Sequence, residues 1–131
     1  MPREIKFRGK RLDNGEWVYG NRVYMQGNDG YTVGMQMLSG DGYRPWASIQ
    51  VDPKTVGQFT GTYDNKGREI YEGDFLAACF KAIPCCVEWD EDILGFGASN
   101  KKKHIFIDVP YWKHRNIVGN IHDNPELLEV A

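Results

Sequence analysis

Apolar and polar positions alternate in short runs along most of the chain, and glycine-rich turns separate the runs. Ile5 and Phe7 fall on one face of the first run and Lys6 and Arg8 on the other, the period-two pattern of a half-buried strand. Asp13-Asn14-Gly15 comes next. Asn-Gly is the strongest short hairpin signal, because the favoured two-residue turn places both central residues at positive φ. The returning strand covers residues 16–24, with Trp17, Tyr19 and Val23 on one face. Turns at Gly27-Asn28-Asp29-Gly30 and Ser39-Gly40-Asp41-Gly42 bound a methionine-rich strand over residues 31–38. Residues 43–51 are extended, and Pro45 marks an edge position there. Asp52-Pro53-Lys54-Thr55 suits a type I or 3₁₀ turn, where the fixed φ of proline fits.

The second half repeats this punctuation more densely. Residues 57–63 read as a strand, and Asp64-Asn65-Lys66-Gly67 as a loop with glycine in the left-handed conformation. A short strand then carries Ile70 and Tyr71 to opposite faces, and Glu72-Gly73-Asp74 forms a polar corner whose carboxylates are placed to satisfy turn amides. Residues 75–80 are almost wholly apolar, as in a strand covered on both faces. Pro84 ends or bulges that run. Residues 85–89 form the next strand, with Cys86 and Glu88 facing one way and Val87 and Trp89 the other. Asp90-Glu91-Asp92 is an acidic turn, residues 93–98 a strand broken by Gly95 and Gly97, and Lys101-Lys102-Lys103 a basic tip. Residues 104–109 alternate into a strand with Ile105 and Ile107 opposite Phe106, and residues 116–121 make the last strand. Asn124, Pro125 and Glu126 open a short helix: a cap, a proline at the first position and an acid at the positive end of the dipole.

Several of these segments together resemble a known family. Val-Gly-Gln-Phe-Thr-Gly, then Asp-Asn-Lys-Gly and Ile-Tyr-Glu-Gly-Asp within residues 56–75, are followed by Val-Gly-Asn-Ile-His-Asp-Asn-Pro-Glu-Leu-Leu within 117–128. With Ile5-Lys6-Phe7-Arg8-Gly9-Lys10 and Trp17-Val18-Tyr19-Gly20 at the start, the ensemble is similar to the YopX family of bacteriophage and prophage proteins. Residues 21–50 and 77–115 fit it only loosely. The family has no established activity, so the resemblance implies a fold and a phage context and carries over no catalytic residue.

A chain of 131 residues forms one domain, or two small halves sharing a core. Its aromatic content of 13% favours β structure, where rings pack on pleated surfaces. Short, bent strands with glycine at the corners predict a mainly β fold with minor helix. It consists of an N-terminal β-hairpin region over residues 1–56 and an SH3-like, partly open β-barrel over 57–131 with a short C-terminal helix, the whole also readable as one compact unit. The resemblance implies the same barrel.

The net charge of −2 gives no global attraction to nucleic acid or anionic lipid, so any basic function must be local. Three cysteines, two of them adjacent, make a poor disulfide framework and point to a reducing cytoplasm. No apolar run approaches the ~20 residues of a membrane span, and the N-terminus lacks a signal-peptide core.

Few groups point to chemistry. Cys79, Cys85 and Cys86 with His104, His114 and His122 lack metal-site spacing, and adjacent cysteines in a strand face opposite ways. Asp74, Glu88 and the acidic turn offer carboxylates, but residues 90–92 share one solvated turn instead of facing each other across a cleft. No phosphate loop, dinucleotide fingerprint or nucleophile elbow is present. The remaining constellation is Lys101, Lys102, Lys103 and His104 with Tyr111, Trp112, Lys113, His114 and Arg115. These are two basic clusters with two large rings, the combination that binds single-stranded nucleic acid. The bland reading is a charged hairpin tip beside two partly buried rings. Together these features predict a non-enzymatic accessory protein without cofactor or metal. Its partner is another protein or a second copy of itself, engaged through edge strands and the ring-rich hairpins carrying Trp17, Tyr24, Tyr43 and Trp46. Nucleic-acid binding through residues 101–115 is the alternative.

Overall fold

In the computed structural model of the chain, residues 4–26, 32–39, 42–78 and 83–128 are described. The turn expected at Gly27-Asn28-Asp29-Gly30, the tip Gly40-Asp41, and Cys79 and Phe80 lie outside the described residues, as do the side chains of Tyr24, Tyr43 and Trp46. Eleven strands are found among the described residues: β1 (Phe7–Lys10), β2 (Trp17–Gln26), β3 (Thr32–Ser39), β4 (Gly42–Val51), β5 (Gly57–Tyr63), β6 (Glu69–Tyr71), β7 (Asp74–Ala77), β8 (Pro84–Asp90), β9 (Gly95–Asn100), β10 (Ile105–Ile107) and β11 (Ile117–Asn120). The fold is mainly β, with short 3₁₀ segments and no helix long and apolar enough to cross a membrane among those residues. The chain divides into two compact units, Met1–Phe59 and Thr60–Ala131, and the division falls inside β5.

The first unit is an antiparallel sheet in the order β4-β3-β2-β1-β5. Register pairs Arg8 with Tyr19, Gly9 with Val18 and Lys10 with Trp17. Val18 and Val51 are buried together, with Phe7, Val23, Ile49 and Val56 packed around them. Trp17 and Tyr19 share a face as expected, but beyond the register shift between Gly20 and Arg22, Val23 packs with Val18 on the other. Val18 points to the core, while Tyr19 is 43% exposed and Trp17 half-buried. The reason is β1, which sets Arg8 and Lys10 on the ring side, where the Arg8 guanidinium lies 4.6 Å and Lys10 Nζ 5.5 Å from the Trp17 ring centre.

The β1–β2 hairpin also differs in its turn. Arg11 N donates to Glu16 O and Gly15 N to Arg11 O, closing a longer loop than a two-residue turn. Gly15 takes φ 72° and Asn14 stays at negative φ, its Oδ1 accepting from Glu16 N instead. The Asp52 turn is a 3₁₀ segment (Pro53–Thr55) capped by the Asp52 carboxylate on Lys54 N. Thr55 Oγ1 accepts from Lys10 N and donates to Asp52 O.

The second unit holds an antiparallel sheet in the order β10-β9-β8-β7-β11, and β6 pairs the far end of β5. Its core joins Leu76, Cys85, Val87, Ala98 and Ile107, from four strands, to Ile70 and Trp112. The expected barrel is not closed: β10 and β11 are the two edges of this sheet and do not pair. β10 is three residues long, and the chain then turns at Pro110 into a 3₁₀ segment (Val109–His114) in place of more strand. That segment delivers Trp112, wholly buried, whose Nε1 donates to Ile107 O at 2.9 Å. The C-terminal helix is likewise one 3₁₀ turn, Pro125–Leu128. Asn124 Oδ1 reaches back to accept from Asn120 N instead of capping forward.

Candidate functional site

The outer face of β8, β9 and β10 is where the second unit presents its chemistry. Register aligns Cys86 with Ser99, Glu88 with Gly97, Asp90 with Gly95, and Phe106 with Ser99, so these residues share one side of the sheet, opposite Val87 and Ala98. Glycine at 95 and 97 leaves the middle of that face low. The Phe106 ring leans into the space: a Cβ on Gly97 would stand 3.1 Å from Phe106 Cε2 and 4.0 Å from Ile93 Cδ1. Phe106 is 51% exposed. Trp89, at the end of β8, runs past the core and is 49% exposed, with its ring edge-on to Phe96 at 5.4 Å.

A cavity of about 340 Å³ opens here, lined by Trp89 and Phe106 with Glu88, Asp90, Asp92 and Lys101. A second, of about 300 Å³, adjoins it through Glu88, Ser99 and Lys101 and reaches Cys86 and Ile121. Lys101 Nζ lies 3.9 Å from Glu88 Oε1, both well exposed, so this pair adds little stability. At the β8–β9 turn, Asp90 Oδ1 accepts from Asp92 N, and Ile93 and Leu94 stand exposed beside the acids, Leu94 in the left-handed region at φ 50°. One end of the face is thus acidic and apolar, and the other carries the basic turn.

The expected basic and aromatic residues do not form one surface. Lys101, Lys102, Lys103 and His104 are exposed on the β9–β10 turn, and Lys113, His114 and the 55% exposed Tyr111 lie on the 3₁₀ segment. Trp112 belongs to the core and is no stacking platform, a correction forced by the 3₁₀ geometry that separates two adjacent rings. Arg115 is half-buried at the end of that segment, its N–H donating to Trp112 O. The exposed rings that the basic/aromatic constellation omitted are Phe106 and Trp89. Phe106 was visible in the sequence as the odd member of an Ile-Phe-Ile alternation. Trp89 gave no such signal, because its parity matches buried Val87.

No group of three or more His, Cys, Asp or Glu among the described residues is placed to hold a metal ion. Cys85 and Cys86 are both buried. Burial pushes the Cys85 thiol up. Burial, with the negative charges of Glu88 and Asp74, raises the Cys86 thiol to about 12. Both shifts favour the thiol over the reactive thiolate.

The motif segments noted in the sequence meet elsewhere in this unit. Gly73, at φ 90°, donates to Val87 O and accepts from Ile121 N, and the space of its missing Cβ is lined by His122 Nε2 at 3.3 Å. Asp74 Oδ2 accepts from Tyr71 N. Asp64, buried, accepts from Lys66 N, Arg68 N, Arg68 Nε and, across the unit, Ile117 N. In the comparison with known families, the model of the YopX protein matches residues 6–129. The chain belongs to the YopX family. Among solved structures it is similar to protein EF1440 from Enterococcus faecalis, with a TM-score of 0.54 and 24% identity over 95% of this chain and 97% of that one. That likeness is one of fold. Comparison with curated proteins gives no match. In this YopX chain the motif residues build the corner at Gly73 and the Asp64 anchor.

Proposed function

We propose that this YopX protein is a non-enzymatic, phage- or prophage-encoded accessory protein of the host cytoplasm, which acts by binding protein through the outer face of β8, β9 and β10. The observation that carries the reading is the cavity lined by the half-exposed Phe106 and by Trp89, with carboxylates at one end and Lys101 at the other. Aromatic anchors with a mixed-charge rim are the chemistry of protein interfaces. The acidic turn argues against a phosphate backbone on the same face, since residues 90–92 and Glu88 repel it.

Affinity capture from a bacterial lysate with the wild-type chain and with the double variant Trp89→Ser, Phe106→Ser tests this. The reading expects a protein partner, or self-association, present with the first and absent with the second. Equal capture by both overturns it. The second reading, single-stranded nucleic acid held by Lys101, Lys102, Lys103, Lys113 and Tyr111, has the exposure of those side chains in its favour. It expects oligonucleotide affinity that falls steeply with salt and disappears on Lys101→Glu, Lys102→Glu, Lys103→Glu substitution.

A further inference from the structure

We infer that the partner of this face is a second copy of the same chain, joined about a two-fold axis through the β10 edges, with the basic turn of each copy seated against the acidic turn of the other. The inference rests on the protein-binding reading above and names the partner.

Three observations lead there. First, β10 is an edge of its sheet, and it pairs only Ala98, Ser99 and Asn100 of β9; among the described residues no strand lies alongside residues 95–97 on that side. Edge strands are open to pairing with another chain. Second, the two turns of the β8–β9–β10 ribbon carry opposite charge. Asp90, Glu91 and Asp92 precede β9, and Lys101, Lys102 and Lys103 come after it. β9 has six residues, so its ends stand about 16–17 Å apart at about 3.3 Å per residue. That exceeds the Debye length of about 8 Å at physiological salt, so attraction between the two turns of one chain is largely screened, Lys101 reaching partway to Glu88 at 3.9 Å. Third, apolar side chains stand exposed along this ribbon: the Phe106 ring lies over Gly97 with Ile93 Cδ1 near it, and the 77% exposed Leu94 sits in the acidic turn.

An antiparallel pairing of two β10 strands uses all three. With Phe106 on the axis, Ile107 of one copy lies opposite Ile105 of the other. The second copy's chain then leads back from its Ile105 into its basic turn, beside residues 95–97 and the acidic turn of the first. The same contact recurs by symmetry, as a self-complementary interface requires. The two Phe106 rings fall on the same face as a directly opposed cross-strand pair. Charge complementarity decides for this occupant over an unrelated one, since the chain carries both halves of the match at the right ends.

A charge swap measured by sedimentation equilibrium tests the arrangement. The wild-type chain is expected at twice its 15.0 kDa mass, with a dissociation constant rising at least about tenfold between low and high salt. The variants Lys101→Glu, Lys102→Glu, Lys103→Glu and Asp90→Lys, Glu91→Lys, Asp92→Lys are each expected to be monomeric alone and to dimerise when mixed. That recovery also shows that both remain folded. Two reversed variants that dimerise as the wild type does overturn the inference, as does a mixture that fails to recover when circular dichroism shows both folded. A monomeric wild-type chain that still binds a synthetic peptide of residues 99–106 or a lysine-rich peptide overturns self-pairing and leaves the protein-binding reading standing. A monomeric chain that binds neither peptide removes the inference, and equal capture by the Trp89 and Phe106 variant is what removes the broader reading.

Discussion

The Phe106 ring lies over Gly97, so close that a Cβ on the glycine would stand 3.1 Å from Phe106 Cε2. The backbone at Gly97 is not in the left-handed region, so an added methyl group meets only a side chain. That side chain is half exposed and free to swing outward. Gly97→Ala is expected to cost under about 1 kcal/mol by urea denaturation, yet to displace the ring from the cavity. Trp89 fluorescence and the association measured by light scattering should both change. A variant with unaltered association shows that the position of Phe106 does not matter to the interface.

Asp64 anchors the second unit from the central hairpin, since its carboxylate accepts from Ile117 N, 53 residues away in sequence, as well as from its own loop. Burial raises its pKa, but the N–H donors of Arg68, Ile117 and Lys66 and the Arg68 guanidinium outweigh burial and hold it below the usual carboxylate range. A lowered folded value means that this stability is present above the unfolded value, about pH 3.9, and is lost as pH falls through the folded one. Asp64→Ala leaves buried N–H donors unpaired and is expected to destabilise by about 2–3 kcal/mol at pH 7. The difference from wild type should shrink in acid melts below about pH 4. A constant difference down to pH 2 would show the carboxylate charge to be irrelevant.

Much of this architecture was legible as alternation and punctuation. Gly67 takes φ 77° in its loop, Cys86 and Glu88 share a face, and the strands fall close to the expected runs. The expected partly open barrel is an open sheet instead, and this was not legible because closure depends on the backbone path beyond a three-residue edge strand. Tyr111 and Trp112 are neighbours of similar character, and only the 3₁₀ geometry after Pro110 sends one to solvent and the other to the core. The parity of Trp17 and Tyr19 did not extend to Val23, because a register shift between Gly20 and Arg22 carries Val23 to the face of Val18. The candidate face needed register. Acidic and basic turns are plain in the sequence, but the pairing that sets Phe106, Glu88 and Gly97 on one side is a long-range fact.

Trp112 separates a folding role from a binding role. It is wholly buried, and its Nε1 donates to Ile107 O within the core of the second unit. Trp112→Phe is expected to lose that bond and some volume at about 1–2 kcal/mol, and Trp112→Ala to lose about 3–5 kcal/mol. Denaturant titration followed by circular dichroism reads both. If Trp112 were instead a stacking ring, the alanine variant would keep its stability and lose oligonucleotide affinity.

The Cys86 thiol gives the last and most direct check on the sheet's packing. Burial first, and then the charges of Glu88 and Asp74, raise its pKa to about 12. The thiolate that reacts with alkylating agents is therefore scarce in the folded chain at pH 8, whereas an unfolded cysteine near 8.5 has a substantial fraction. Iodoacetamide labelling resolved by peptide mass spectrometry should find Cys86 modified at least about tenfold more slowly in native than in urea-unfolded protein. Linkage gives the same group a second readout. A raised folded value means its contribution to stability is intact below the unfolded pKa and declines as pH rises through it toward the folded one. Unfolding midpoints should accordingly fall above about pH 8.5, and Cys86→Ala should lessen that fall. Rapid native labelling at Cys86 would mean that β8 opens to solvent, and with it the floor of the smaller cavity.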